Sequence, residues 1–438
     1  MDLAPAIVAA AFVVFAVVSR RLSRSAVTGT MVFAALGVAL GPEVFDLVDY
    51  DRLVERFDLF GLILTGTLVI VLFTDASAIN SSNWRDDILP ARLLGIGLPV
   101  AIGLGWLLAA VLLGTLEIWE AAVLGTMLAP TDAALGKAVV SNERVPRRIR
   151  QALNIESGLN DGIALPLFLV FLETALVAEE SLAVSEIFLT LLEQVGVALV
   201  VGIAVGWIGS YAIAWGRSSG AALGYWLEIA LVSLAVSAYA IATPLGGSGF
   251  IAAWVAGFAF GKWFVSAPDD PLPEFAEAFG DLLTMASFFV FGIFLGPVLV
   301  DLTWQVALYG VLSLAAVRVI AVFVALAGAK MRWQSVLYIG WFGPRGLATI
   351  ILTIEVIDES TLNGSSTIAD AALFTVGLSV LLHGLTAWWG SNAYADFVQS
   401  HPRQTELAED VEPRSIVRVP FRARQQPVGR RPGPPGGG

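Results

Sequence analysis

The apolar residues of this chain come in blocks of about 16–28 residues separated by short polar links, and that spacing dictates the fold. A bilayer core about 30 Å thick takes about 20 residues of helix per crossing. Lipid offers no partner for an open backbone group, so the blocks must close their hydrogen bonds within themselves as a bundle of helices. Composition agrees: of 438 residues, 57% are hydrophobic and 14% charged, with a mean hydropathy of +0.79. Soluble domains carry about 25% charged residues. Gly and Pro are plentiful inside the blocks, a habit of membrane helices rather than soluble ones.

Read in order, the blocks lie near 4–19, 27–41, 59–79, 90–114, 119–141, 152–177, 186–214, 220–243, 249–265, 280–299, 304–327, 333–357 and 366–390. The expected fold class is an all-α polytopic membrane protein with about 13 transmembrane helices. The first block is short and is followed by Arg20, Arg21 and Arg24, as in a signal peptide, but no small-residue cleavage site follows, so it is kept as a helix. There is no cysteine, which excludes disulfides and thiolate metal sites. The net charge of −12 comes from acids gathered in links such as Glu43 to Asp58 and Asp269 to Asp281, where a solvated surface is the plain reading.

Basic residues fall in alternate links, as the positive-inside bias requires. One set holds Arg20, Arg21, Arg24, Arg85, Arg144, Arg147, Arg148, Arg150, Arg217, Lys262, Lys330 and Arg332; the opposite set holds Arg52 and Arg56. The amino terminus is therefore expected outside and the carboxyl terminus in the cytoplasm, which fits an odd number of crossings. From about Asn392 the composition turns to Arg, Pro, Gln and Gly, too poor in apolar residues to bury, and 392–438 is expected to be a disordered cytoplasmic tail.

An ionisable residue at the centre of a membrane helix costs about 2.5–3.5 kcal/mol on insertion scales, so its presence marks a pathway or a partner. Asp132, Glu156, Asp161, Arg318 and Arg345 all stand in such places. Asp132 follows Pro130 and Thr131 in the fifth block, where proline should interrupt the helix. Arg345 lies in Gly343-Pro344-Arg345-Gly346, a second interruption seven crossings later, hence in the opposite direction. Two broken helices in corresponding positions of inverted halves are the sequence pointer to a transporter site. On the sixth block Ser157 and Asp161 share one stripe, and Glu156 and Asn160 the next. Arg345 is the expected partner of Glu156, because a buried guanidinium demands a carboxylate. Plainer roles stand beside these: Asp132 as a helix cap, Asn160 as a packing amide, His383 as a hydrogen-bonded histidine. Arg318 receives no role.

At these residues the chain resembles the bacterial sodium/proton antiporters of the monovalent cation/proton antiporter superfamily, in the branch related to animal sodium/proton exchangers. The resemblance covers nearly all the helices and rests on Thr131-Asp132, Glu156-Ser157, Asn160-Asp161-Gly162 and Gly343-Pro344-Arg345-Gly346, with Gly246-Gly247-Ser248-Gly249-Phe250 and His383-Gly384-Leu385-Thr386 in support. The family's usual Pro after Thr-Asp is Ala133 here, with Pro130 ahead of the pair. The resemblance implies a homodimer in the plasma membrane, with a dimerisation part at about 1–89 and 186–299 and an ion-translocating core at about 90–177 and 304–390. It implies a cation- and proton-binding set of Asp161, Asp132, Ser157, Thr131 and Asn160, with Na+ at Asp161, Ser157, Thr131 and Asp132, a Glu156–Arg345 pair, and one cation per proton, the pattern of members with Asn160 before Asp161. No cofactor is implied.

The expected mechanism is competition. A bare carboxylate at 161 bears the full burial penalty, while its protonated and cation-bound forms do not, so only an occupied site moves. Oxygen ligands suit a hard cation such as Na+ or Li+, and K+ remains the alternative. A cation channel is one rival. An intramembrane serine protease using Ser248 in Gly246-Gly247-Ser248-Gly249 with His383 as base is another.

Overall fold

The computed structural model describes residues 4–22, 25–48, 57–78, 88–180, 184–264, 272–358 and 362–401. In it the apolar blocks form helices: α1 Ala4–Leu22, α2 Gly29–Leu40, α3 Phe57–Ser77, α4 Ile88–Leu112, α5 Ile118–Met127, α6 Ala133–Val140, α7 Arg147–Glu180, α8 Val184–Ser218, α9 Gly224–Ala242, α10 Gly249–Trp263, α11 Leu272–Val300, α12 Trp304–Ala325, α13 Trp333–Trp341, α14 Leu347–Asp358 and α15 Ser365–Ser400. The pairs α5/α6 and α13/α14 are the halves of the two interrupted crossings, and with each pair joined the described residues make the thirteen passes expected. Arg24, Arg52, Arg56 and Arg85 lie outside the described residues.

Close packing depends on glycine where backbones touch. In α10 a Cβ at Gly257 would meet Phe73 O at 2.2 Å, and one at Gly261 would meet Ser77 O at 2.2 Å, so α10 lies directly on the backbone of α3. Gly202 and Gly206 bring α8 equally close to Ala252 and Ala256 of α10. Small residues one turn apart are how membrane helices gain dispersion contact where no hydrophobic force drives them together. The outward faces are apolar: Val13, Val14 and Val17 of α1, and Val200, Ile203, Trp207 and Tyr211 of α8, are exposed, as lipid-facing side chains should be.

Two features of the inverted repeat escape a reading by helical period. Leu93–Gly97 in α4 and Ser313–Val317 in α12 are π turns, and these helices are the fourth and eleventh passes, seven apart like the two interruptions. Each π turn adds a residue and rotates the remainder of its helix by about 100° against a regular one. Arg318 is the first residue after the second of them.

The expected tail boundary is corrected: α15 continues to Ser400. Tyr394 stacks on Tyr338 with ring centroids 4.0 Å apart, its hydroxyl donates to Ser335 Oγ at 2.8 Å, and Asp396 pairs with Arg144. These contacts hold a helical end that is too polar to be recognised as a membrane block. Residues 402–438 lie outside the described residues.

Candidate functional site

The two interruptions meet. Residues 128–132 separate α5 from α6 and residues 342–346 separate α13 from α14; the Asp132 N–H donates to Pro344 O at 2.8 Å. A broken helix leaves N–H groups free at one end and carbonyls at the other, and side chains of both interrupted helices take them up. Asp132 Oδ1 accepts from Leu135 N at 2.9 Å, the N-cap of α6, and Oδ2 accepts from Leu347 N at 2.7 Å, the first residue of α14. One carboxylate thus caps two helix N-termini, whose partial positive charge favours an anion. At the carbonyl ends, Thr349 Oγ1 donates to Met127 O at 2.9 Å and Arg345 Nη1 to Pro130 O at 2.8 Å.

Each residue of Gly343-Pro344-Arg345-Gly346 has a reason. A Cβ at Gly343 would lie 2.5 Å from Arg318 Nε, and one at Gly346 would lie 2.1 Å from Asp132 Oδ2. Glycine makes room for both charged groups, while Pro344 offers its carbonyl to Asp132. Asp132→Ala would strand the Leu135 and Leu347 N–H groups, at an expected cost of about 1–3 kcal/mol. Thermal unfolding in detergent checks this; Asp132→Asn, which keeps one acceptor oxygen, should lose less.

The expected Glu156–Arg345 pair does not form. Glu156 is held by Arg318 through two parallel bonds, Nη1 to Oε1 at 2.5 Å and Nη2 to Oε2 at 2.8 Å, with both side chains buried. The physical reason lies in the breaks: Arg345 is drawn to the carbonyl end of α5, a site that attracts positive charge, while the π turn of α12 swings Arg318 inward. Arg345 Nε and Nη2 have no hydrogen-bond partner among the described residues.

Beside the crossing lies α7. Asn160 Nδ2 donates to Thr131 O at 3.2 Å and to Thr131 Oγ1 at 2.7 Å. Contact with a carbonyl, which only accepts, fixes the orientation of that amide. Thr131 Oγ1 is 3.1 Å from Ser157 Oγ. The structure thus gathers Thr131, Ser157 and Asn160 against the first break. Asp161, one turn beyond Ser157, is half-buried, and among the described residues its carboxylate accepts no hydrogen bond and enters no ion pair. The charges that reach it are Asp132, Asp75 and Arg345. Asp75 of α3 was not singled out by the sequence; its signal is an acid near the end of an apolar block. Pro166 lies within α7 and has no N–H for the Gly162 carbonyl, leaving an acceptor beside Asp161. A Cβ at Gly162 would meet Trp254 at 2.3 Å, and Trp254 Nε1 donates to Gly158 O at 2.9 Å, which seats α7 on α10.

The protease reading loses its dyad. Ser248 caps α10, its Oγ accepting from Ile251 N, and Gly246 takes the left-handed turn before it at φ 79°. His383 is occupied elsewhere: Nδ1 lies 3.0 Å from Ser379 Oγ and Nε2 2.8 Å from Trp341 O. Among the described residues no three His, Cys, Asp or Glu side chains come together to hold a metal.

Two interrupted helices crossing beside a carboxylate that has no partner among the described residues mark an inverted-repeat membrane transporter fold. A family model described as sodium/hydrogen exchanger, transmembrane matches residues 7–389, and the chain belongs to that family. It is 26% identical to the K(+)/H(+) antiporter NhaP2 of Shewanella sp. (strain ANA-3) over 395 residues, 86% of this chain and 64% of that protein. It is 28% identical to the K(+)/H(+) antiporter NhaP of Alkalimonas amylolytica, over 74% of this chain and 55% of that one. The chain thus spans less than two thirds of these relatives' length. The structure of the sodium proton antiporter MjNhaP1 from Methanocaldococcus jannaschii at pH 8 superposes with a TM-score of 0.70 at 23% identity, covering 90% of this chain and all of that one. That likeness is one of fold.

Proposed function

We propose that this chain exchanges a monovalent cation for protons across the plasma membrane, one for one, with the two ions competing for Asp161. The observation that carries the reading is a carboxylate with no partner among the described residues, beside two crossed helix breaks. Ser157, Thr131 and the Asp132 region supply further oxygens to the cation, and Asn160 holds Thr131 in place. Asp132, with a backbone N–H on each oxygen, acts chiefly through its charge. An empty site bears an uncompensated carboxylate and stays put; protonated or cation-filled, it is neutral and crosses.

The moving core comprises α4–α7 and α12–α15, and the stationary part, which pairs with a second copy, comprises α1–α3 and α8–α11. The amino terminus faces out and the carboxyl terminus faces the cytoplasm. Sodium, with lithium, is the first reading for the cargo. Potassium is the second, favoured by the K(+)/H(+) names of the two bacterial relatives.

The test is the full chain reconstituted in liposomes with an interior pH dye, challenged with Na+, Li+ and K+ across a pH series. Sodium or lithium should move protons without current. Where protons compete, the half-saturating cation concentration should rise roughly tenfold per unit fall in pH. A response to potassium that exceeds sodium selects the second cargo. Current without proton movement would mean a channel and end the proposal.

A further inference from the structure

The α13–α14 break is gripped from α15 by one short chain of hydrogen bonds. The Arg345 N–H donates to Ser379 Oγ at 2.7 Å, Ser379 Oγ lies 3.0 Å from His383 Nδ1, and His383 Nε2 lies 2.8 Å from Trp341 O. Nδ1 also lies 3.0 Å from the Ser379 carbonyl, so each ring nitrogen faces an oxygen, Nε2 that of Trp341 and Nδ1 those of Ser379. Ser379 and His383 are one turn apart on α15 and both are buried. Two side chains of one helix therefore hold the last residue of α13 on one side of the break and the backbone of Arg345 on the other.

What depends on this grip is the place of Arg345. Its side chain is fully buried, spends Nη1 on Pro130 O and pairs with no acid among the described residues, so no ion pair anchors it. Its backbone must do so. Yet among the described residues it is the one positive charge that reaches Asp161, against the negative charges of Asp132 and Asp75. Arg345 itself faces Arg318, Glu156, Tyr309 and Asp161, and His383 faces Arg345 and Arg318. Coulomb attraction falls with distance, so any slack at residue 345 changes how readily Asp161 gives up its proton.

We propose that Ser379 and His383 are positioning residues for exchange: by gripping both sides of the α13–α14 break they fix Arg345, and through it the pH range in which Asp161 trades a proton for the cation. This rests on Asp161 being the exchanging carboxylate. Neither residue touches the ions; both act through Arg345.

The test uses the full chain in liposomes, with proton movement on cation addition measured over a pH series for wild type, Ser379→Ala, His383→Leu, His383→Gln and, as control, Asp161→Asn. Ser379→Ala and His383→Leu should move the activity profile to higher pH by about 0.5 unit or more, because a positive charge less firmly held near Asp161 favours its anion less. His383→Gln, whose amide N–H reaches toward Trp341 O, should return the profile toward wild type. Should His383→Leu fail to fold, Ser379→Ala decides alone, since it deletes only a hydroxyl. An unmoved profile in Ser379→Ala, or a Gln variant as shifted as the Leu variant, overturns the inference alone, provided that wild type is active and Asp161→Asn is dead. An inactive wild type, or an active Asp161→Asn, overturns the underlying reading and this inference with it.

Discussion

Asp161→Asn should reduce cation-driven proton movement to the background of protein-free liposomes while leaving the bundle folded. The substitution keeps shape and volume but removes both things the site trades, the titratable proton and the negative charge that holds a cation. Because the carboxylate accepts no hydrogen bond among the described residues, losing it strands no donor. The change also relieves a desolvated charge that lies near Asp132 and Asp75, so stability should hold or rise. Binding offers a second readout free of transport. A cation that binds only the folded chain stabilises it by about 2.7 kcal/mol at a hundred times its Kd. Wild type should therefore melt later as sodium or lithium is added, and Asp161→Asn should not respond. Residual pH-gradient-driven flux in that variant would remove Asp161 from the mechanism.

How much of this was legible in the sequence depends on how local each signal is. The passes and both interruptions were, because an apolar run and a Gly/Pro cluster each lie within one stretch of chain. Ser157 and Asn160 could be placed only on neighbouring stripes of α7, and Thr131 entered through the family resemblance; that the three gather at the first break is seen in the structure. The partner of Glu156 was not legible. Choosing between Arg318 and Arg345 requires knowing that α12 contains a π turn just before Arg318 and that Pro130 O awaits a donor from 215 residues away. Neither is written in a periodicity. The end of α15 was missed for another reason. Its last turns are held by Tyr394 against Tyr338 and by Asp396 against Arg144, contacts of polar and aromatic groups to which a hydropathy reading is blind. Asp75 was passed over because one acid near a block end looks like the start of a link, until α3 is seen to carry it within reach of Asp132 and Asp161.

The corrected ion pair carries the other large effect. Glu156 and Arg318 are almost wholly removed from solvent and bonded through two parallel contacts, so each charge is tolerated only because of the other. Glu156→Gln leaves a guanidinium without its counter-charge, and Arg318→Met leaves a carboxylate in the same position; either should cost about 3–5 kcal/mol. The double variant has no charge to strand and should recover much of the loss, since a buried pair replaced by neutral groups of similar volume is often close to neutral. Thermal or denaturant unfolding in detergent would yield the coupling energy of the cycle. The same cycle run with Arg345→Met in place of Arg318→Met discriminates between the two arginines. Arg345 donates to Pro130 O rather than to Glu156, so its coupling to Glu156 should be smaller than that of Arg318, which is bonded to it twice. A coupling larger for Arg345 than for Arg318 would restore the pairing expected from sequence and refute the geometry that places Arg345 at the end of α5. Because Glu156 adjoins Ser157 on α7, losing its anchor should also loosen the cation site, so the single variants should lose exchange along with stability, and the double variant should regain stability before it regains transport.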